Sequence, residues 1–224
     1  MTSTSHPIRR AALGALAASA LAAATLASVG VTPAQAAGNT TVTRSGNVVT
    51  VTAAVGTVND VTVRRSPNGT RLDVTDVAIT AGAGCTKTGA RSVQCSAAGV
   101  TQLNISTGDR NDRVFVNFNN STRVLAGSGD DVVTSTNGAG TARLNGGDGN
   151  DSISGAIFDS LFGQNGNDFL AGGRFLSGGF GNDMLFGLSG NDVLNGNDGQ
   201  DSLNGGSGTD DLCLNGESLT GCEA

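Results

Sequence analysis

Between Gly178 and Cys213 the chain reads GGFGNDMLF, GLSGNDVLN, GNDGQDSLN and GGSGTDDLC, four consecutive units of nine residues. Gly stands first in each unit (Gly178, Gly187, Gly196, Gly205) and again fourth (Gly181, Gly190, Gly199, Gly208). Asp stands sixth (Asp183, Asp192, Asp201, Asp210) and Leu eighth (Leu185, Leu194, Leu203, Leu212). A fixed period of this kind is the mark of a stacked-repeat architecture. A flexible Gly/Asp/Asn-rich linker shares the composition, but it needs neither a fixed period nor an aliphatic two residues after every Asp.

Imperfect copies extend the pattern toward the N-terminus. GGDGNDSIS begins at Gly146, has its second Gly at Gly149, and places Asp151 and Ile153. GQNGNDFLA begins at Gly163 and places Asp168 and Leu170. AGSGDDVVT from Ala126 places Asp131 and Val133, and TGDRNDRVF from Thr107 places Asp112 and Val114, with Arg110 where the second Gly is due. Each residue type has a physical reason to recur. Gly permits backbone conformations that a Cβ forbids, so the first six residues turn tightly. The last three form a short strand whose alternation sends the eighth side chain to one face. One aliphatic per nine residues fills only a thin core, and a single unit cannot bury it alone.

At these residues the chain resembles the RTX, or haemolysin-type, calcium-binding nonapeptide family, GGxGxDxUx with U a large aliphatic, over roughly residues 107–213. The resemblance implies an all-β fold, a right-handed parallel β-roll (β-solenoid), in which two nonapeptides make one coil and turns alternate between its two edges. It implies calcium shared between turns of adjacent coils. The expected ligands are Asp112, Asp131, Asp151, Asp168, Asp183, Asp192, Asp201 and Asp210. Gly146, Gly149, Gly178, Gly181, Gly187, Gly190, Gly196, Gly199, Gly205 and Gly208 would contribute through turn backbone. The chemistry is consistent with that implication. Stacked coils sit about 4.8 Å apart, and columns of carboxylates at that distance repel. A hard divalent cation with six to eight oxygen ligands reverses the sign, and calcium suits such a set better than magnesium.

Assigning alternate units to the two edges puts Asp112, Asp131, Asp151, Asp168, Asp183 and Asp201 on one of them. The other edge collects a poor unit at Asp159 and sound ones only at Asp192 and Asp210. The expectation is a lopsided roll, with calcium along most of one edge and only near the C-terminus of the other.

Outside the repeats, residues 1–36 read as a signal peptide. Arg9 and Arg10 form a basic start, an uncharged Ala/Leu-rich run extends from Ala11 to Val31, and Ala34-Gln35-Ala36 gives the small-x-small cleavage pattern. A retained anchor and a twin-arginine signal are the alternatives; Ala11 and Ala12 stand where a twin-arginine signal has bulky apolar residues. Four cysteines fall into two close pairs, Cys85/Cys95 and Cys213/Cys222. Three connectivities exist for four cysteines, and local pairing avoids bringing distant segments together. Bridges of this kind persist in an oxidising compartment, which fits a secreted, extracellular protein.

Residues 37–106 form a β-rich N-terminal segment and 107–224 the calcium-binding roll, whose C-terminal end a disulfide staples. Thr and Val alternate in TTVTRSGNVVTVTA and NDVTVRR, which reads as strands, and Pro67-Asn68-Gly69 reads as a turn. The segment is either a small separate β-domain or solenoid with decayed repeats. VGTVNDVTV from Val55 looks like a damaged nonapeptide with Asp60 sixth. Charge divides along the chain: residues 37–125 carry nine Arg/Lys against five Asp, residues 126–224 two Arg against fourteen Asp/Glu. Arg64, Arg65 and Arg71 read as a solvated face, with a polyanion patch as the alternative.

Enzyme chemistry finds little to work with. The single His is His6, inside the expected signal peptide, and neither a GxSxG elbow nor an HExxH motif occurs. Trp and Tyr, the usual platforms beside paired carboxylates that act on sugars, number zero. The expected function is a non-enzymatic, secreted calcium-binding repeat protein, structural or adhesive, with no nucleic-acid partner and no membrane span after cleavage. The alternatives are a calcium-triggered secretion or folding module of a toxin or protease, and a polysaccharide-binding solenoid.

Overall fold

Alternation decides the architecture. In the computed structural model, which describes residues 39–136 and 138–223, every second residue of most strands is buried, and no helix occurs among the described residues. The expected signal segment, residues 1–36, lies outside them.

The strands, in chain order, are β1 (Thr40–Ser45), β2 (Val48–Thr52), β3 (Asp60–Arg65), β4 (Arg71–Thr75), β5 (Ile79–Ala81), β6 (Cys85–Gly89) and β7 (Ser92–Ser96). After them come β8 (Gln102–Asp109), β9 (Arg113–Asn117), β10 (Ser121–Ser128), β11 (Val132–Ser135), β12 (Ala142–Asp148), β13 (Ser152–Ser154) and β14 (Ser160–Asn165). The last are β15 (Phe169–Ala171), β16 (Phe175–Phe180), β17 (Met184–Phe186), β18 (Val193–Asp198), β19 (Ser202–Asn204), β20 (Leu212–Leu214) and β21 (Ser218–Thr220).

From β8 onward, even-numbered strands stack in one sheet and odd-numbered strands in the other, each parallel to the strand two places on. This is the parallel β-roll that the repeats imply. Two in-register columns of aliphatics face each other across it. Ile105, Val124, Leu144, Leu161, Leu176 and Leu194 form one. Val114, Val133, Ile153, Leu170, Leu185 and Leu203 form the other. All are almost wholly buried. Each such side chain contributes about 1.5–3 kcal/mol by leaving water, but only when the next coil covers it.

The N-terminal segment combines the two readings that the sequence left open. β2 and β3 pair parallel with β8 and β9 and so make a first coil. The remaining strands are cap. β1 folds back antiparallel on β2, and β4, β7 and β6 continue the other sheet antiparallel from β3. Both disulfides are local, Cys85–Cys95 across the β6–β7 pair and Cys213–Cys222 around the last coil. Here the strands bury two aliphatics each: Val49 and Val51, Val61 and Val63, Leu103 and Ile105, Val114 and Val116.

The position of Val61 and Val63 corrects one expectation. With these two in the core, alternation turns Asn59 inward and Asp60 outward. Asn59, not Asp60, therefore stands at the sixth position of the damaged repeat.

Candidate metal centre

The sixth-position residues sit two places before each core aliphatic, at the bend entering a strand, and face inward with it. On the edge leading into the odd-numbered strands they form one continuous ladder. The Asn59 amide donates to Asp112 Oδ1 at 2.7 Å. The Asp112 amide donates to Asp131 Oδ1 at 2.7 Å, and that of Asp131 to Asp151 Oδ1 at 2.8 Å. Asp151, Asp168 and Asp183 donate in turn to Asp168, Asp183 and Asp201, each at 2.8 Å. The Asp201 amide ends the series on Glu217 Oε2 at 2.5 Å. All six aspartates expected on this edge are brought into one row and are at most 2 % exposed.

The opposite edge differs. The matching column runs Leu103, Thr122, Ala142, Asp159, Arg174, Asp192, Asp211, all turned inward except the exposed Arg174. Asp192 donates its amide to Asp211 Oδ1 at 2.9 Å, and Asp211 donates to Glu223 Oε2 at 2.6 Å. Asp210, expected in this row, is exposed and is instead bonded by Asn191 Nδ2. The reason is the disulfide-bonded Cys213, which pairs with Leu194 and takes the core column that Leu212 was expected to fill. Alternation from Cys213 turns Asp211 inward and leaves Asp210 as an extra residue in the turn. Leu212 points out, 44 % exposed.

Each ladder aspartate leaves one carboxylate oxygen unused. Among the described residues, Oδ2 of Asp112, Asp131, Asp151, Asp168, Asp183, Asp192, Asp201 and Asp211 is buried without a hydrogen-bond partner. An orphaned buried acceptor costs about 1–3 kcal/mol, more when charged. Eight of them would consume the whole stability of an ordinary domain, about 5–15 kcal/mol. Asp159 escapes because Ala142 N–H and Ala156 N–H donate to its two oxygens. The partnerless oxygens are therefore lopsided: six line one edge, and two lie near the C-terminus of the other.

The first-position glycines explain themselves at these oxygens. A Cβ on Gly178 would lie 2.1 Å from Asp183 Oδ2 and 2.8 Å from the Gly196 carbonyl oxygen of the next coil. Gly181, at φ +122°, would drive a Cβ to 2.0 Å from the Gly166 carbonyl. Carboxylate and carbonyl oxygens thus converge where a side chain is missing.

A second ladder escaped the sequence reading. Fifth-position side chains accept amides in the opposite direction: Asp130 N to Asn111 Oδ1, Asn150 N to Asp130 Oδ1, Asn167 N to Asn150 Oδ1, Asn182 N to Asn167 Oδ1 and Gln200 N to Asn182 Oδ1. The recurrent Asn before Asp was its visible signal. These bonds fix the turns through neutral Asn side chains at every level but Asp130 and leave the sixth-position carboxylates to something else.

Electrostatics agrees. Burial pushes the Asp151 and Asp183 carboxyls up to about 7, with neighbouring carboxylates adding to it and a backbone N–H opposing it. Burial likewise raises Asp131, Asp168 and Asp192 to about 6. Asp112 and Asp201 are raised for the same reason. Ionisation is disfavoured by the fold as it stands, which is the condition a bound cation relieves. No group of three or more His, Cys, Asp or Glu side chains converges among the described residues. A cation here would draw part of its shell from turn carbonyls, as calcium accepts. The residues fit such an ion by the orphaned oxygens and by the glycine gaps beside them.

Fold and site together define a parallel β-roll with buried acidic edges. Compared with known protein families, residues 136–157, 158–175 and 177–212 match the RTX calcium-binding nonapeptide repeat, in four copies. That stretch is therefore built of RTX calcium-binding repeats. Searches of curated proteins and of solved structures found no match.

Proposed function

We propose that this is a secreted, non-enzymatic protein whose roll takes up calcium along its two acidic edges and completes its folding as it does so. One observation carries the reading: eight buried carboxylate oxygens without a partner, in register with the repeats. When bound, calcium supplies positive charge and an oxygen-seeking shell. Asp112, Asp131, Asp151, Asp168, Asp183 and Asp201 would hold it on the long edge, Asp192 and Asp211 on the short one. Affinity in the range of extracellular modules, about 10⁻⁴ to 10⁻³ M, suits such sites.

Export is supported by the Ala34-Gln35-Ala36 pattern and by two disulfides that an oxidising compartment keeps. A non-catalytic role is supported by the sites themselves, since the buried acids are absorbed by the ladders. A surface hollow of about 540 Å³ near the β4–β7 pair is lined by Thr70, Arg71, Thr86, Thr88, Gln94, Cys95 and Ser96, without a carboxylate or an imidazole. The outer column Asn104, Arg123, Arg143, Ser160, Phe175, Val193, Leu212 mixes charge, polarity and size. That favours a structural or adhesive surface over a repetitive polysaccharide-binding one.

Circular dichroism of the mature chain during a calcium titration tests the proposal. A gain of β-structure between decalcified buffer and millimolar calcium is expected. An unchanged spectrum, together with no calcium uptake by isothermal titration, would overturn it.

A further inference from the structure

Both acidic ladders run past the last repeat, and both end on a glutamate. Asp201 N–H donates to Glu217 Oε2 and Asp211 N–H to Glu223 Oε2, the same bond that Asp makes to Asp from Asp112 to Asp201 on one edge and from Asp192 to Asp211 on the other. Glu217 and Ser218 also donate their amides to the Asp201 carbonyl, and Glu223 donates to that of Asp211, so main chain and side chain dock together. Beyond these bonds lie two unsatisfied oxygens. Asp201 Oδ2 and Asp211 Oδ2 are buried without partners, in residues 2 % and 0 % exposed. Each faces a carbonyl of the final coil. A point one bond from Gly196 Cα lies 2.2 Å from the Asn215 carbonyl oxygen and 2.3 Å from Asp201 Oδ2. The equivalent point on Gly205 lies 2.1 Å from the Gly221 carbonyl oxygen and 2.9 Å from Asp211 Oδ2.

We infer that Glu217 and Glu223 are the outermost ligands of two terminal calcium sites, one on each edge, closed by the coil that the Cys213–Cys222 disulfide holds. The inference rests on the calcium-binding reading above and extends it beyond the repeats that end at residue 212. The longer glutamate side chain takes the place that an aspartate holds in the coils below. Its second oxygen and the turn carbonyls then complete a shell that an Asp alone leaves open. Glu217 lies inside the disulfide loop and Glu223 directly follows Cys222, so the bridge fixes both ligands relative to β20.

The test is the calcium stoichiometry of the full mature chain, by equilibrium dialysis with metal analysis, in the wild type, E217Q, E223Q and the double variant. Glutamine keeps an oxygen for the amide bond but loses the negative charge, which separates a ligand from a mere cap. One ion fewer in each single variant and two fewer in the double are expected. D210N, an exposed site off the row, should bind as many ions as the wild type. The C213S/C222S pair should lose both terminal ions. Unchanged stoichiometry in E217Q and E223Q, with the wild type still binding calcium, would overturn this inference alone. A wild type that binds no calcium would overturn the broader proposal with it.

Discussion

The two halves of this solenoid share a backbone plan and differ in what fills it. In the N-terminal coils each strand buries two aliphatics, as at Val49 and Val51 or Val114 and Val116. In the C-terminal coils only one remains per strand, as at Leu176 or Leu185, and its inward neighbours are Gly on one side and, just before β17, Asp183. Leu103, Thr122 and Ala142 occupy the column that later holds Asp159, Asp192 and Asp211. One half thus gains its stability from apolar burial. The other has traded part of that burial for buried carboxylate oxygens without a hydrogen-bond partner. Even the ends of the long ladder differ, a neutral Asn59 at one and an anionic Glu217 at the other.

The sharpest way to break the comparison is to fill the glycine gap. Gly178→Ala pushes a methyl onto Asp183 Oδ2, while the corresponding column already carries Ala126 and Thr107 in the earlier coils. Overpacking of this kind costs about 1–3 kcal/mol. In millimolar calcium the thermal midpoint of the roll should drop by several degrees and calcium affinity should fall with it. Ala126→Gly should cost about 1 kcal/mol or less. Equal losses at the two sites would erase the distinction.

A smaller effect is expected from single ladder charges. Asp183→Asn keeps the amide bond from Asp168 and removes one ligand charge. It should raise the calcium concentration needed for folding several-fold, while Asp60→Asn, on the outer face, changes nothing measurable. A calcium titration followed by circular dichroism reads both.

Proton linkage gives the mildest contrast, and its sign is opposite with and without the ion. Asp151 and Asp183 titrate at about 7 in the fold against about 3.9 for a free Asp. Their folded values are raised, so the stability they contribute is full below about pH 4 and is lost as pH rises through 6 to 7. Exhaustively decalcified protein should therefore melt higher at pH 5 than at pH 8. With millimolar calcium the order should invert, because the ion binds the ionised carboxylate.

How much of this was legible in the sequence follows from the period. The nine-residue spacing located the roll, the core Leu positions except Leu212, and seven of the eight expected aspartates in inward rows. It failed where the period slips. At Asp210 an extra turn residue, pinned by disulfide-bonded Cys213, moved the inward place to Asp211. At Asp60 the flanking valines set the phase and turned Asn59 inward. Glu217 and Glu223 lie beyond the last repeat, where no period marks them. The cap has strand alternation but no period, so its antiparallel hairpins became visible only through strand pairing.

Hydrogen exchange resolved by residue, on the intact mature chain in decalcified buffer and then in millimolar calcium, tests the central claim most directly. Amides of Asp168, Asp183 and Ser202 should become protected only with the ion, whereas those of Val51, Ile105 and Val116 should be protected in both. Equal, strong protection of the two groups in decalcified buffer would contradict the account.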